Sequence, residues 1–157
     1  MKLVTLALAF VVTAFPLASF AQDAASTAAD EQVLLKQIQT NKRGVFADNL
    51  KLTESESKAF WPVYDQYEAD LKKLNDRFLQ LINDYAAKYD TLTDEQAASM
   101  LKDRLTIDRK RTDLRVKYCD RIAKVLPGKK ALRFAQLESR IDNLAMRNLY
   151  SVIPLAR

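Results

Sequence analysis

The stretch Leu92-Thr93-Asp94-Glu95-Gln96 stands at the corner between the two longest helical patterns of the chain. The Thr93 side chain can accept a hydrogen bond from the backbone N–H of Gln96, and the Gln96 side chain can bond the backbone N–H of Thr93 in return. This reciprocal pair is a capping box. Leu92 stands just before the cap, where an apolar residue can pack onto the first turn. The stretch therefore predicts a long helix that begins at residue 94.

A related stretch, Leu52-Thr53-Glu54-Ser55-Glu56, precedes the first one by 40 residues. Here Thr53 can act as the cap and Glu56 as its partner three residues later. The two stretches therefore predict that two long helices begin with the same device.

The segment between these stretches carries an apolar stripe whose steps alternate between four and three residues. This spacing predicts a helix over about 53–90 that packs like one strand of a coiled coil. Pro62 predicts a kink early in it, because proline has no N–H and clashes with the carbonyl one turn back. The stripe consists of Phe60, Tyr64, Tyr67, Leu71, Leu74, Phe78, Leu81 and Tyr85.

The following segment, 94–125, has two partial seams in place of one continuous stripe. One is Met100, Ile107, Leu114, Tyr118 and Val125, and the other is Leu101, Leu105, Cys119, Ile122 and Leu126. Pro127 and Gly128 are expected to end this helix, since proline cannot continue it and glycine favours a C-terminal turn. Further apolar patterns predict a first helix over about 31–48 and a fourth over about 129–150.

These patterns, with only 2 Gly and 4 Pro in 157 residues, predict an all-α fold of four helices. Its main feature is a long bent antiparallel helical hairpin with coiled-coil-like packing. Residues 1–21 are interpreted as a cleaved signal peptide, because Lys2 precedes a short apolar run and Ala21 fits a cleavage site. A membrane anchor is the alternative, but the run is short for a bilayer. A flexible linker over 22–30 and a single domain over 31–157 complete the prediction.

Charge is distributed unevenly along the chain. Residues 102–133 contain twelve Lys or Arg and four Asp, a net charge of +8, whereas residues 22–101 have a net charge of −5. The second helix is therefore expected to pair in part with the third, and a basic surplus is expected to remain on the surface. A basic surface raises the rate of encounter with acidic partners. Export argues against nucleic acid as a partner despite the basic composition.

Missing residue types exclude most enzyme classes, and no catalytic residue, metal ligand set or cofactor is predicted. The chain has no His, so a Ser-His-Asp or Cys-His arrangement cannot form. Two glycines cannot build a phosphate-binding loop. The single cysteine, Cys119, can be a buried small hydrophobe, a free thiol or an intermolecular bridge, and burial is favoured.

The two capping stretches resemble the LTxxQ motif of the Spy/CpxP-type periplasmic proteins. Leu92, Thr93 and Gln96 match the motif, and Leu52, Thr53 and Glu56 form a degenerate copy with Glu in place of Gln. The resemblance covers about residues 50–140 and assigns these residues a structural role. It implies a periplasmic homodimer shaped as a thin cradle, with ATP-independent chaperone activity on unfolded envelope proteins or a role in envelope-stress sensing. The metal-responsive relatives use His ligands, which this chain lacks.

The predicted function is binding of unfolded or acidic polypeptide by a basic helical surface. The candidate contact residues lie one or two turns apart on the third helix: Arg104, Ile107, Arg111, Leu114, Arg115 and Tyr118. The alternative is a non-enzymatic regulatory or structural protein that binds one folded envelope partner or an anionic membrane surface.

Overall fold

Four helices make up the computed structural model, which describes residues 41–151 and 153–156. Helix α1 covers 41–50, α2 is Glu54–Lys88, α3 is Asp94–Ala123 and α4 is Gly128–Tyr150. No strand occurs within these described ranges. The predicted all-α class is confirmed. The predicted signal peptide, the linker and the start of the first helix lie outside the described residues.

Both predicted capping boxes are present. The Thr93 hydroxyl accepts from the Gln96 N–H at 3.3 Å, and the Gln96 side chain accepts from the Thr93 N–H at 3.2 Å. At the start of α2, the Thr53 hydroxyl accepts from the Glu56 N–H at 3.3 Å, and the Glu56 carboxylate accepts from the Thr53 N–H at 2.7 Å. Each box satisfies two backbone donors that a helix start would otherwise leave open.

Side-chain contacts show the relative directions of the three long helices. Asp70 of α2 bonds the Tyr118 hydroxyl of α3, and Arg77 pairs with Asp103, so residue numbers rise on one helix as they fall on the other. Between α2 and α4 the numbers rise together, because Glu56 contacts Lys130 and Tyr67 contacts Glu138. Helices α2 and α4 are therefore parallel to each other and antiparallel to α3.

An aromatic cluster at the end of the bundle that carries α1 joins the helices. The Phe46 ring of α1 lies 5.0 Å from Tyr64 and 5.3 Å from Phe134, measured between ring centroids. Tyr67 lies 5.3 Å from Tyr118, which brings α3 into the same cluster. Burial of such rings supplies most of the favourable free energy of a small core. We call this end of the bundle the proximal end.

Helix length limits how far this core extends. Helix α2 has 35 residues and α4 has 23, so α2 is about 18 Å longer at about 1.5 Å per residue. The stripe of α2 follows this gradient: Phe60, Tyr64 and Tyr67 are buried, whereas Leu81 and Tyr85 are only half-buried. We call the thinner end, around the turn between α2 and α3, the distal end.

Two local expectations require correction. Gly128 was expected to close the third helix, but it is the first residue of α4 and its φ is not positive. Helix α3 ends earlier, at Ala123, and the Leu126 N–H bonds the Ile122 carbonyl at 2.9 Å. Pro127 is the N-cap of α4, since its carbonyl accepts from Lys130 and Ala131 and it needs no N–H there.

The capping interaction at Thr93 predicts a measurable loss of stability on substitution. Thr93→Ala removes the acceptor of the Gln96 N–H, and we expect the free energy of unfolding to fall by about 1 kcal/mol. Thr91→Ala is the control, because Thr91 is exposed and precedes the cap. Equal urea midpoints for the two variants would contradict the role of the capping box.

Candidate functional site

The predicted binding residues of α3 lie against other helices. Ile107 and Tyr118 are 1% and 0% exposed, so neither can belong to an exposed binding surface in this conformation. Leu114 is half-buried and packs against the core. The apolar half of the predicted site is therefore a packing surface, because the partial seam that contains it faces α2 and α4.

The three predicted arginines are also engaged within the chain. Arg111 and Arg115 both pair with Asp142 of α4. The Arg104 guanidinium lies 4.4 Å from the Phe78 ring centroid and forms an ion pair with Asp108 at 2.8 Å. These contacts place all six predicted residues on the side of α3 that faces the bundle, where they stabilise helix packing.

The opposite side of α3 carries exposed apolar side chains. Leu101, Leu105 and Val116 are 59%, 59% and 57% exposed. Steps of four and eleven residues place them on one face of a helix with 3.6 residues per turn. We call these three residues the outer strip. The second partial seam in the sequence already contains Leu101 and Leu105. It did not reveal the outer strip, because the same seam also contains Ile122 and Leu126, which are buried.

Charged side chains of both signs adjoin the outer strip, and the exposed Asp113 and Asp120 lie one turn before and one turn after Val116. Lys102 and Arg109 lie one turn before and one turn after Leu105, and both are exposed. The expected pairing of acidic α2 with basic α3 does not occur among the described residues, where the ion pair between them joins Arg77 of α2 to Asp103 of α3. The acidic residues of α2 pair elsewhere, for example Asp65 with Arg43. The basic side chains of Lys102, Arg109 and Lys117 are therefore exposed and form no ion pair with α2 among the described residues.

The distal end carries two small apolar clefts. They have volumes of about 250 and 320 Å³ and share Ile82, Tyr85 and Ile153 in their walls. Leu101 of the outer strip also lines the first cleft. The apolar surface thus continues from the outer face of α3 to the distal end of α2.

Lys42, Glu68 and Glu138 belong to a polar network and line a groove of about 630 Å³ between α2 and α4. The Glu138 side chain is almost fully buried, and its Oε1 atom accepts from the Tyr67 hydroxyl at 2.8 Å and from Lys42 Nζ at 3.1 Å. Lys42 Nζ also bonds Glu68 at 2.8 Å. Glu138 Oε2 has no hydrogen-bond partner among the described residues. The network ties α1, α2 and α4 together around one buried carboxylate.

Burial changes the titration of the groups around this network. It raises the pKa of the Tyr67 hydroxyl, and the nearby Glu138 carboxylate raises it further, so Tyr67 stays protonated and donates. Burial likewise raises the pKa of the Cys119 thiol, which is free and half-buried. A thiol with a raised pKa is a poor nucleophile at neutral pH, because the thiolate is the reactive form.

The described part of the chain contains no group of three or more His, Cys, Asp or Glu residues that could hold a metal ion. None of its helices has a run long and apolar enough to cross a membrane.

No protein-family model matches the chain, and no curated protein or solved structure shows a significant match to it.

The Glu138 network predicts coupled effects of substitution. Glu138→Gln removes the charge that Lys42 and Tyr67 contact, and we expect it to lower the free energy of unfolding by about 1–3 kcal/mol. Tyr67→Phe removes one donor to the same oxygen. The double variant is expected to lose less than the sum of the single losses, because both substitutions break one interaction. Additive losses in urea denaturation would contradict this network.

Glu68 predicts a pH dependence with a definite sign. Burial raises the pKa of its carboxyl above the ordinary value of 4.5, and Lys42 offsets only part of this shift. The folded chain therefore binds this proton more tightly than the unfolded chain. The contribution of Glu68 to stability is largest below the ordinary pKa and declines as pH rises through the raised pKa.

Glu68→Gln removes this titration. The free energy of unfolding of the variant, relative to the wild type, is expected to increase as pH rises above the ordinary carboxyl pKa of 4.5. Urea titrations across this range provide the measurement. A difference that does not vary with pH would contradict the assigned shift.

Proposed function

We propose that the protein is a non-enzymatic, ATP-independent chaperone of the bacterial envelope that holds unfolded acidic polypeptide on the outer face of α3. The observation that carries this proposal is the outer strip itself. Leu101, Leu105 and Val116 are each more than half exposed on one helix face, with exposed basic side chains next to them. Leu101 and Leu105 lie one turn apart, and neighbouring exposed apolar side chains of this kind can mark an interaction site.

The strength of the interaction suits transient holding. Fully burying a Leu or Val side chain stabilises by roughly 1.5–3 kcal/mol, and these side chains are already partly covered. Three of them therefore supply a few kcal/mol, from which the cost of ordering a flexible client must be subtracted. The result is a weak and reversible complex, because nanomolar binding needs about 12 kcal/mol.

Electrostatics favour acidic clients. Of the twelve basic residues in 102–133, Lys130 forms an ion pair with Glu56 of α2, and the whole chain carries a net charge of +5. A net positive field of this kind raises the association rate with acidic chains and weakens as salt is added. The proposal therefore includes both a first electrostatic encounter and a later apolar contact.

Three sequence features agree with this proposal. The N-terminal pattern predicts export, and the LTxxQ-like stretches resemble those of the Spy/CpxP-type periplasmic proteins. The full stripe of α2 and the two partial seams of α3 predict a homodimer, because one chain does not bury all of these side chains. Binding of a single folded envelope partner, or of an anionic membrane surface, is the alternative function.

The outer strip predicts client protection that depends on two side chains. A Leu105→Gln/Val116→Gln variant spares Leu101, which also lines a distal cleft, and glutamine does not weaken the helix. We expect the wild type to suppress light scattering by an acidic protein diluted from urea, without ATP. The variant should lose at least half of this protection, because a large part of the apolar contact is removed.

Leu132→Gln is the matched control, since Leu132 is 60% exposed but lies on α4. Protection by the wild type should also weaken at high salt. No protection at several-fold molar excess in low salt would refute the proposed function. Saturable binding of one folded envelope protein or of anionic vesicles, without client protection, would favour the alternative.

A further inference from the structure

The distal end of α2 extends beyond the end of α4 and is covered by the C-terminal residues. Helix α4 ends at Tyr150, whereas α2 continues to Lys88. Residues 153–156 follow α4 without helical structure and lie along this part of α2. We call residues 153–156 the tail.

The contacts between α2 and the tail use the main chain of the tail. The Tyr85 hydroxyl donates to the Pro154 carbonyl at 3.0 Å, and the Tyr89 hydroxyl donates to the Leu155 carbonyl at 3.0 Å. The Leu155 side chain is 88% exposed, whereas Pro154 is exposed but also lines the second cleft. Every residue type has such a carbonyl, so these two bonds do not depend on the sequence that occupies the site.

The tail is bound weakly enough to be displaced by another polypeptide segment. Ile153 is half-buried and lines both clefts, and the exposed Pro154 lines the second cleft. Leu155 and Ala156 are exposed. Segments with few buried apolar contacts open at low free-energy cost. The surface below combines two hydroxyl donors, a row of apolar side chains and the Arg104 guanidinium.

We propose that this distal surface binds an extended polypeptide segment through its main-chain carbonyls, and that the tail occupies the surface as an internal competitor. The inference rests on the proposed function and specifies how a client is recognised. A binding site that donates hydrogen bonds to main-chain carbonyls and has shallow apolar clefts can bind many different sequences. This property suits clients that are unfolded but unrelated in sequence. A client that displaces the tail also reaches Leu101, which links the clefts to the outer strip.

The test uses the full chain and measures fluorescence anisotropy of a labelled, permanently unfolded acidic polypeptide. Ile153→Gln removes the apolar anchor of the tail, and we expect client affinity to increase about threefold or more as the surface becomes free. Leu155→Gln is the matched control in the same tail, because its side chain is exposed, and it should leave the affinity unchanged.

A second pair of variants tests the hydroxyl donors. Tyr85→Phe/Tyr89→Phe in the Ile153→Gln background should cancel the gain in affinity, since the rings remain but the donors are lost. Tyr64→Phe in that background is the control, because the buried Tyr64 hydroxyl has no hydrogen-bond partner in the described ranges. It should retain the gain, and circular dichroism checks that each variant stays helical.

The outcomes separate this inference from the proposed function. Wild-type binding that needs Leu105 and Val116 but does not change with Ile153→Gln would overturn the inference and leave the proposed function standing. No binding by any variant would refute the proposed function. A gain that is accompanied by conversion of a dimer to monomers would also overturn the inference, because the tail would then cover a second copy.

Discussion

Burial of the aromatic cluster at the proximal end is the constraint on which the rest of the structure depends. Phe46, Phe60, Tyr64 and Phe134 form one set of ring contacts that brings α1, α2 and α4 together. Helix α4 begins at this cluster and has too few residues to reach the turn between α2 and α3. The distal end therefore contains two helices where the proximal end contains four, and its apolar side chains are covered less completely.

The distribution of charge follows from the same arrangement. The arginines of α3 that face the bundle meet Asp142 of α4 or aromatic rings, whereas the acidic residues of α2 pair with α1, with α4 or within α2 itself. The basic residues on the outer face of α3 are left to solvent. Because this face also exposes Asp113 and Asp120, the attraction for acidic chains comes from the net charge of the whole chain, +5.

Local features could be predicted from the sequence, and features that depend on distant residues could not. The caps at Thr53 and Thr93 were predictable because cap and partner are three residues apart. The six predicted contact residues of α3 face the bundle, because two partial seams compete in the sequence and only the positions of α2 and α4 decide which one is buried. The contact between Arg111 and Asp142 could not be predicted, because the two residues are 31 positions apart in the sequence. The tail contacts use main-chain carbonyls, which leave no pattern in a sequence.

In the proposed mode of binding, clients contact the outer face of α3 while its inner face remains packed. A titration of methyl-labelled protein with an unfolded acidic polypeptide, followed by nuclear magnetic resonance, distinguishes the two faces. We expect shifts of the Leu105 and Val116 methyl signals and unchanged signals for Ile107 and Ile122. Shifts at Ile107 and Ile122, with none at Leu105 and Val116, would contradict this mode of binding and show that clients enter between the helices.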